Sequence, residues 1–316
     1  MRPQQQRPAL FLLATSALYV ALLLYVDRGS GILARLADLG RPLLACAALV
    51  LCSFMLRYQR WHLALRARGH SNNAWLQGLL AYLAGFAFTV SPGKAGELLR
   101  IRYFGRMGVP PTTVLGTFLY ERGQDLAILT LLGLAAASLV PVFGTLAGLV
   151  LAALAVLCLA SRCPRLRAML SSLAARMPGT RPRQLAHFLV EGLGQAGPLL
   201  QPRLLLPGLA LGTLAWLLSA VAFASLCAAM GLGLSWQHAL GVYPLAMLAG
   251  AASFVPGGVG TTEAAIVLML AALGAPLDIS LTVAIGIRLA TLWLAIAVGM
   301  VAMLALELQA GRNDAH

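Results

Sequence analysis

Uncharged stretches long enough to cross a lipid bilayer recur along this chain, and they constrain its fold more than any other feature. Residues 9–26, 43–56, 126–160, 204–233, 239–260 and 264–275 carry no charged side chain, and 279–306 carries one, Arg288. A spanning helix needs about 20 apolar residues, because the bilayer interior holds no water to satisfy an open backbone. Only 10% of the 316 residues are charged, against about 25% in a soluble domain. The expectation is an all-α polytopic membrane protein.

The net charge of +13 would suit a nucleic-acid partner if it formed one basic face. Instead much of the surplus lies in two stretches without acids: Arg57, Arg60, Arg66 and Arg68, then Arg162, Arg165, Arg167, Arg176, Arg181 and Arg183. These read as cytoplasmic loops held by the positive-inside rule, and no nucleic-acid partner is expected. The apolar run after the amino terminus, with Asp27-Arg28 behind it, reads as a retained first helix and not as a signal peptide. Helix 8–26 then leaves the cytoplasm and 42–57 returns. Segments 112–139 and 142–160 cross twice, 204–230 crosses outward, and 280–306 returns. Segment 184–201 is too short and polar to span and belongs at the interface. Both termini are expected in the cytoplasm.

Two segments break the apolar pattern. SPGKAGELLR (91–100) places a proline, two glycines and charges where a spanning helix should continue, and FVPGGVGTTEAA (254–265) does the same later. Pro92, Gly93 and Gly96 align with Pro256, Gly257 and Gly260 as PGxxG, with Gly258 inside the second break. A glutamate follows each, Glu97 and Glu263. The arginines Arg122 and Arg288 each stand 25 positions beyond their glutamate. The spacing predicts an inverted repeat, 42–160 and 203–306, within a single domain spanning 1–316, with 161–202 as a basic loop and interfacial helix between the halves. About six full spans plus two re-entrant broken hairpins make six to eight membrane segments. Paired broken segments in inverted halves point to a transport site at the bilayer midplane.

Charges at membrane depth are costly, about 2.5–3.5 kcal/mol each on insertion scales. Lys94, Glu97, Glu121, Arg122, Asp125, Glu263 and Arg288 all fall in or beside apolar segments. Glu121 and Asp125 share a helix face four residues apart. A broken backbone at PG also offers N–H donors at the start of the next half-helix, a ready anion site. The expected arrangement is therefore a cavity that admits an ionic headgroup. Lys94, Arg122 and Arg288 would hold its phosphate, and the carboxylates would pair with these cations or take up protons. A network that only fastens helices together is the competing expectation.

Other chemistries lack their residues. Cys46, Cys52, Cys158, Cys163 and Cys227 read as small buried hydrophobes, and the five histidines show no metal-ligand spacing. SPGKAGE lacks the spacing of a nucleotide-binding loop. No metal or cofactor is expected.

SPGKAGELLR, YERGQDLAIL (120–129), FVPGGVGTTEAA and IRLATLWL (287–294) together resemble the lysylphosphatidylglycerol synthase transmembrane-region family, which is flippase-like. The likeness covers nearly the whole chain. It implies a bacterial inner-membrane protein. In full-length members this region moves aminoacylated phosphatidylglycerol between leaflets, while a carboxy-terminal soluble domain performs aminoacyl transfer. The chain ends at His316, so a stand-alone flippase-like protein without lysyltransferase activity is expected. The motif residues are Gly93, Gly96, Glu97 and Arg100; Glu121, Arg122 and Asp125; Pro256, Gly257, Gly258, Gly260 and Glu263; and Arg288. Lys94 stands where the family more often has arginine, which keeps the charge and loses the bidentate fork.

The leading expectation is a translocase that moves an anionic, aminoacylated or glycosylated lipid, with membrane lipids as its partners. The alternatives are a non-transporting partner of a lipid-modifying enzyme, and an intramembrane enzyme using two carboxylates as acid and base.

Overall fold

The computed structural model describes residues 31–70 and 74–313, and these are mostly helical, with no strand among them. The first expected span, 8–26, lies outside the described residues, as does the side on which the amino terminus falls. A short α1 (Ile32–Asp38) leads into α2 (Gly40–Ala67). Then come α3 (Trp75–Ala84), α4 (Arg100–Arg106), α5 (Pro111–Gly133), α6 (Phe143–Arg162), α7 (Pro164–Ala175), α8 (Thr180–Ala196) and α9 (Pro202–Ala229). The chain closes with α10 (Trp236–Ala252), α11 (Thr261–Ala272), α12 (Leu277–Arg288) and α13 (Leu294–Asn313). Four described rods are long and apolar enough to cross a membrane: Gly40–Ala67, Phe143–Arg162, Pro202–Ala229 and Leu277–Gly311. Helix α5, with 23 residues, matches them in length but carries Glu121, Arg122 and Asp125. The protein is an all-α polytopic membrane protein.

The structure corrects the reading of both basic stretches as loops. Helix α2 runs ten residues past the expected boundary, to Ala67, and buries Arg57 and Arg60 inside the bundle. Its buried positions Val50, Phe54, Arg57, Trp61 and Ala64 keep the helical period straight through the arginines. The second stretch is the helical pair α7 and α8. Helix α8 seats Gly192 against Leu115 of α5 and leaves Leu185 and Leu189 exposed. The cysteines also divide: Cys46 and Cys227 are buried, Cys52 is exposed, and Cys158 and Cys163 are half-buried.

Helices α2 and α9 pack along their length, and glycine makes the approach possible. A Cβ on Gly212 of α9 would meet Arg60 Nη1 at 2.5 Å. The first break follows α3: a 3-10 turn at Gly85–Phe88, then an extended Ser91, then a 3-10 stretch over Pro92–Leu99 that opens with proline, whose missing N–H costs nothing there. Lys94 sits at φ +57, the left-handed region that few side chains adopt. The second break, Pro256–Gly258, turns through Gly257, Gly258 and Gly260 at φ +64, +64 and +82. The two breaks meet: a Cβ on Gly257 would lie 3.3 Å from Val90 Cα. Opposite them the final rod carries a π-helical turn at Leu289–Trp293, directly after Arg288. Such turns rotate the register within a helix and are frequent at functional sites.

The final helix reaches the first hairpin through Gly299, where a Cβ would fall 2.7 Å from the Phe86 carbonyl carbon and 2.9 Å from Ala87 Cα. These are backbone atoms and cannot swing aside. Gly299→Val should therefore lower thermal stability in detergent, by about 1–3 kcal/mol or more. Gly148→Ala on α6 has open space around it and should leave the melting temperature unchanged or raised. Fluorescence-detected size-exclusion after a heating series reads both.

Candidate functional site

Inside the bundle, α2, α3, the first break and α5 bring opposite charges together out of contact with solvent. Arg60 Nη2 lies 3.0 Å from Glu121 Oε1 and 2.8 Å from Asp125 Oδ1. Arg100 places Nη1 3.1 Å from Glu121 Oε2 and Nη2 3.1 Å from Glu97 Oε2, while its Nε donates to the Tyr82 carbonyl at 3.0 Å. Its guanidinium lies over the Tyr82 ring, 3.9 Å from the centroid. Arg60, Arg100 and Glu121 are at most 1% exposed. A buried charge costs several kcal/mol unless paired and hydrogen-bonded, and here every carboxylate is ion-paired with arginine and accepts at least one hydrogen bond. The Tyr82 hydroxyl donates to Glu121 Oε1 at 2.5 Å, Thr89 Oγ1 donates to Glu97 Oε1 at 3.0 Å, and Trp216 Nε1 donates to Asp125 Oδ1 at 3.1 Å.

Arg122 is where this network reaches open space. Its Nη2 lies 3.1 Å from Asp125 Oδ2, 3.5 Å from Glu121 Oε2 and 3.8 Å from Glu97 Oε2. Arg57 donates from Nε to Ser53 Oγ at 3.2 Å, approaches Asp125 Oδ2 at 3.5 Å and stacks on the Trp216 ring, 4.2 Å from its centroid. Beyond them lies a cavity of about 80 Å³, bordered by Arg57, Lys94, Glu97, Arg122, Tyr243 and Arg288 among others. Arg288 pairs from Nε with Glu263 Oε1 at 2.9 Å and donates from Nη2 to the Gly257 carbonyl at 2.6 Å.

Of the expected site residues, Lys94, Glu97, Arg122 and Arg288 border the cavity, and so does Gly257. Arg100, Glu121, Asp125 and Glu263 do not; they stand one contact behind, each bonded to the network. Pro92, Gly93 and Gly96 shape the first break. The Gly96 N–H donates to Ser91 Oγ at 2.5 Å, and the Lys94 N–H to the Ser91 carbonyl at 2.9 Å. Pro256, Gly258 and Gly260 shape the second. There the expected backbone anion site is occupied by the protein itself, since Glu263 Oε2 accepts from the Gly260 N–H at 2.8 Å. Both glutamate–arginine spacings of 25 become ion pairs, Glu97–Arg122 and Glu263–Arg288.

Sequence reasoning missed Arg57, Arg60, Tyr82 and Trp216. The signal for the arginines was the helical period of α2 running on through 57 and 60, in step with Ser53 and Ala64. Counting charges assigned them to a loop.

Lys94 differs from its neighbours. Among the described residues its ammonium forms no ion pair and no hydrogen bond, although it borders the cavity. Around the cavity and directly behind it, six cations (Arg57, Arg60, Lys94, Arg100, Arg122 and Arg288) meet four carboxylates (Glu97, Glu121, Asp125 and Glu263). The described network thus carries two uncompensated positive charges.

No individually curated protein matches the chain. The family model described as lysylphosphatidylglycerol synthase TM region matches residues 10–299, and the chain belongs to that family.

Proposed function

We propose that the protein is a bacterial inner-membrane lipid translocase that carries a lipid with an anionic headgroup between leaflets. The observation that carries this reading is the cavity's unbalanced charge: an unpaired lysine and a surplus of two cations, walled by apolar helices, at the meeting of two broken segments. A network that only joined helices would close on itself, because an unmatched buried cation destabilises the bundle. Irregular backbone at membrane depth is tolerated where it lines a cavity, and both breaks border this one. Membrane lipids are the partners this reading implies.

An intramembrane acid–base enzyme is supported less well. Its proton carriers would be Glu121 with Asp125 or Glu263, and each is paired with arginine behind the cavity wall. None presents a carboxyl to a bound molecule, which general acid–base catalysis requires. We therefore read the protein as a carrier and not as a catalyst.

The test uses the purified protein in liposomes with a fluorescent anionic lipid, reading exposure of inner-leaflet label to dithionite. Wild type should expose it, and Lys94→Gly should slow the exposure about tenfold or more by removing a charged hydrogen-bond donor. The same substitution suits φ +57 and should hold or raise stability, by up to about 1–2 kcal/mol. Transport at the wild-type rate in that variant would sink the proposal. Arg100→Met should behave the opposite way. It strands Glu97 and Glu121 in the bundle and should cost about 3–5 kcal/mol of stability, seen as loss of the monodisperse protein on size exclusion.

A further inference from the structure

We infer that the headgroup this cavity takes is a phosphate bearing close to two negative charges, as in a lipid that ends in a phosphomonoester or diphosphate. A phosphodiester or aminoacylated headgroup fits the cavity less well. The inference rests on reading the cavity as a headgroup site, and it narrows that site's substrate.

Charge comes first. Arg57, Lys94, Arg122 and Arg288 border the cavity with Glu97 as the one bordering carboxylate. Counting the groups directly behind, two positive charges are left over. A phosphomonoester brings about −1.5 to −2 at neutral pH and cancels them. A phosphodiester brings one negative charge and leaves a buried cation unmatched. An aminoacyl ester adds an ammonium, and the cavity has no carboxylate free to meet it. Glu97 is held by Thr89, Arg100 and Arg122, and Glu263 by Arg288 and the Gly260 N–H.

Size agrees with charge. The cavity measures about 80 Å³, whereas pockets that enclose drug-sized molecules run to about 300–1,000 Å³. It has room for a terminal phosphate, and an aminoacylated glycerol or a sugar would have to remain outside. The donors suit such a group: an ammonium on a strained turn and guanidinium groups from three different helices converge from several sides. Charge-assisted hydrogen bonds of this kind are roughly twice as strong as neutral ones.

The test titrates four water-soluble probes into the purified full chain in nanodiscs, by calorimetry: dihexanoyl phosphatidic acid, dihexanoyl phosphatidylglycerol, its lysyl ester, and inorganic phosphate. Phosphatidic acid should bind about tenfold tighter than phosphatidylglycerol near pH 7.5, with the gap closing near pH 5.5 as the second phosphate proton returns. That pH dependence is read on the wild-type protein and needs no variant. Lys94→Gln, checked by its melting curve, should bring phosphatidic acid down to the phosphatidylglycerol level. Equal, pH-independent binding of the two glycerolipids, still lost in Lys94→Gln, would overturn the dianion inference and leave the headgroup reading standing. Tightest binding of the lysyl ester would overturn it as well. Inorganic phosphate binding as tightly as phosphatidic acid would reassign the cavity to a free ion. Absence of any Lys94-dependent binding would overturn the inference together with the headgroup reading beneath it.

Discussion

The structure depends on the solvation of Glu121. This carboxylate sits in the middle of an apolar bundle with almost no exposure, and the protein supplies what water would have given it. Arg60 comes from α2, Tyr82 from α3, and Arg100 from the start of α4. Each of these groups in turn fixes another element. Arg60 binds Asp125 one turn along α5, Asp125 accepts from Trp216 of α9, and Arg100 reaches Glu97 in the first break. Breaking a buried pair by removing one partner costs about 3–5 kcal/mol, whereas apolar helices in lipid gain no hydrophobic advantage from packing together. The charges therefore set the mutual register of α2, α3, α5 and α9, and the small residues permit the approach. Gly85 shows the dependence directly: a Cβ there would lie 2.6 Å from Arg100 Nε.

Much of this was legible in the sequence. Apolar run lengths indicated a membrane bundle, and proline with glycine marked both breaks. The repeated spacing of 25 picked out Glu97 with Arg122 and Glu263 with Arg288, and both pairs form. What stayed hidden depended on partners distant in sequence. Arg57 and Arg60 resemble a positive-inside loop as long as charges are only counted, because the acids that neutralise them stand 61 to 68 residues away. Tyr82 and Trp216 are ordinary apolar residues until a carboxylate arrives beside them. The pairing of Glu121 and Asp125 with cations was expected, but Arg60 and Arg100 as partners were not. The chemistry of the two carboxylates was visible, but not the wall of side chains that separates them from the cavity.

The two breaks share a pattern and differ in state. At the second, Glu263 is bonded to both Arg288 and the Gly260 N–H, and Arg288 also holds the Gly257 carbonyl, so break and helix are tied at three points. Glycines take three of its left-handed positions at no steric cost, and Phe254 at φ +55 takes a fourth. At the first, Glu97 is shared between Arg100 at 3.1 Å and Arg122 at 3.8 Å, and Arg122 lies closer to Asp125. Its left-handed position is occupied by Lys94, which is strained and has an unpaired charge. Strain of about 1–3 kcal/mol persists at a site only where surrounding structure holds it. Lys94 borders the cavity without an ion-pair partner among the described residues. The second break is braced at three points and the first at fewer, so on the proposed reading an arriving anion would act chiefly on the first break and on the arginine shared behind it. Any movement that carries a headgroup onward would then begin in the sharing of Arg122 among Glu97, Glu121 and Asp125, because a bound phosphate competes with all three.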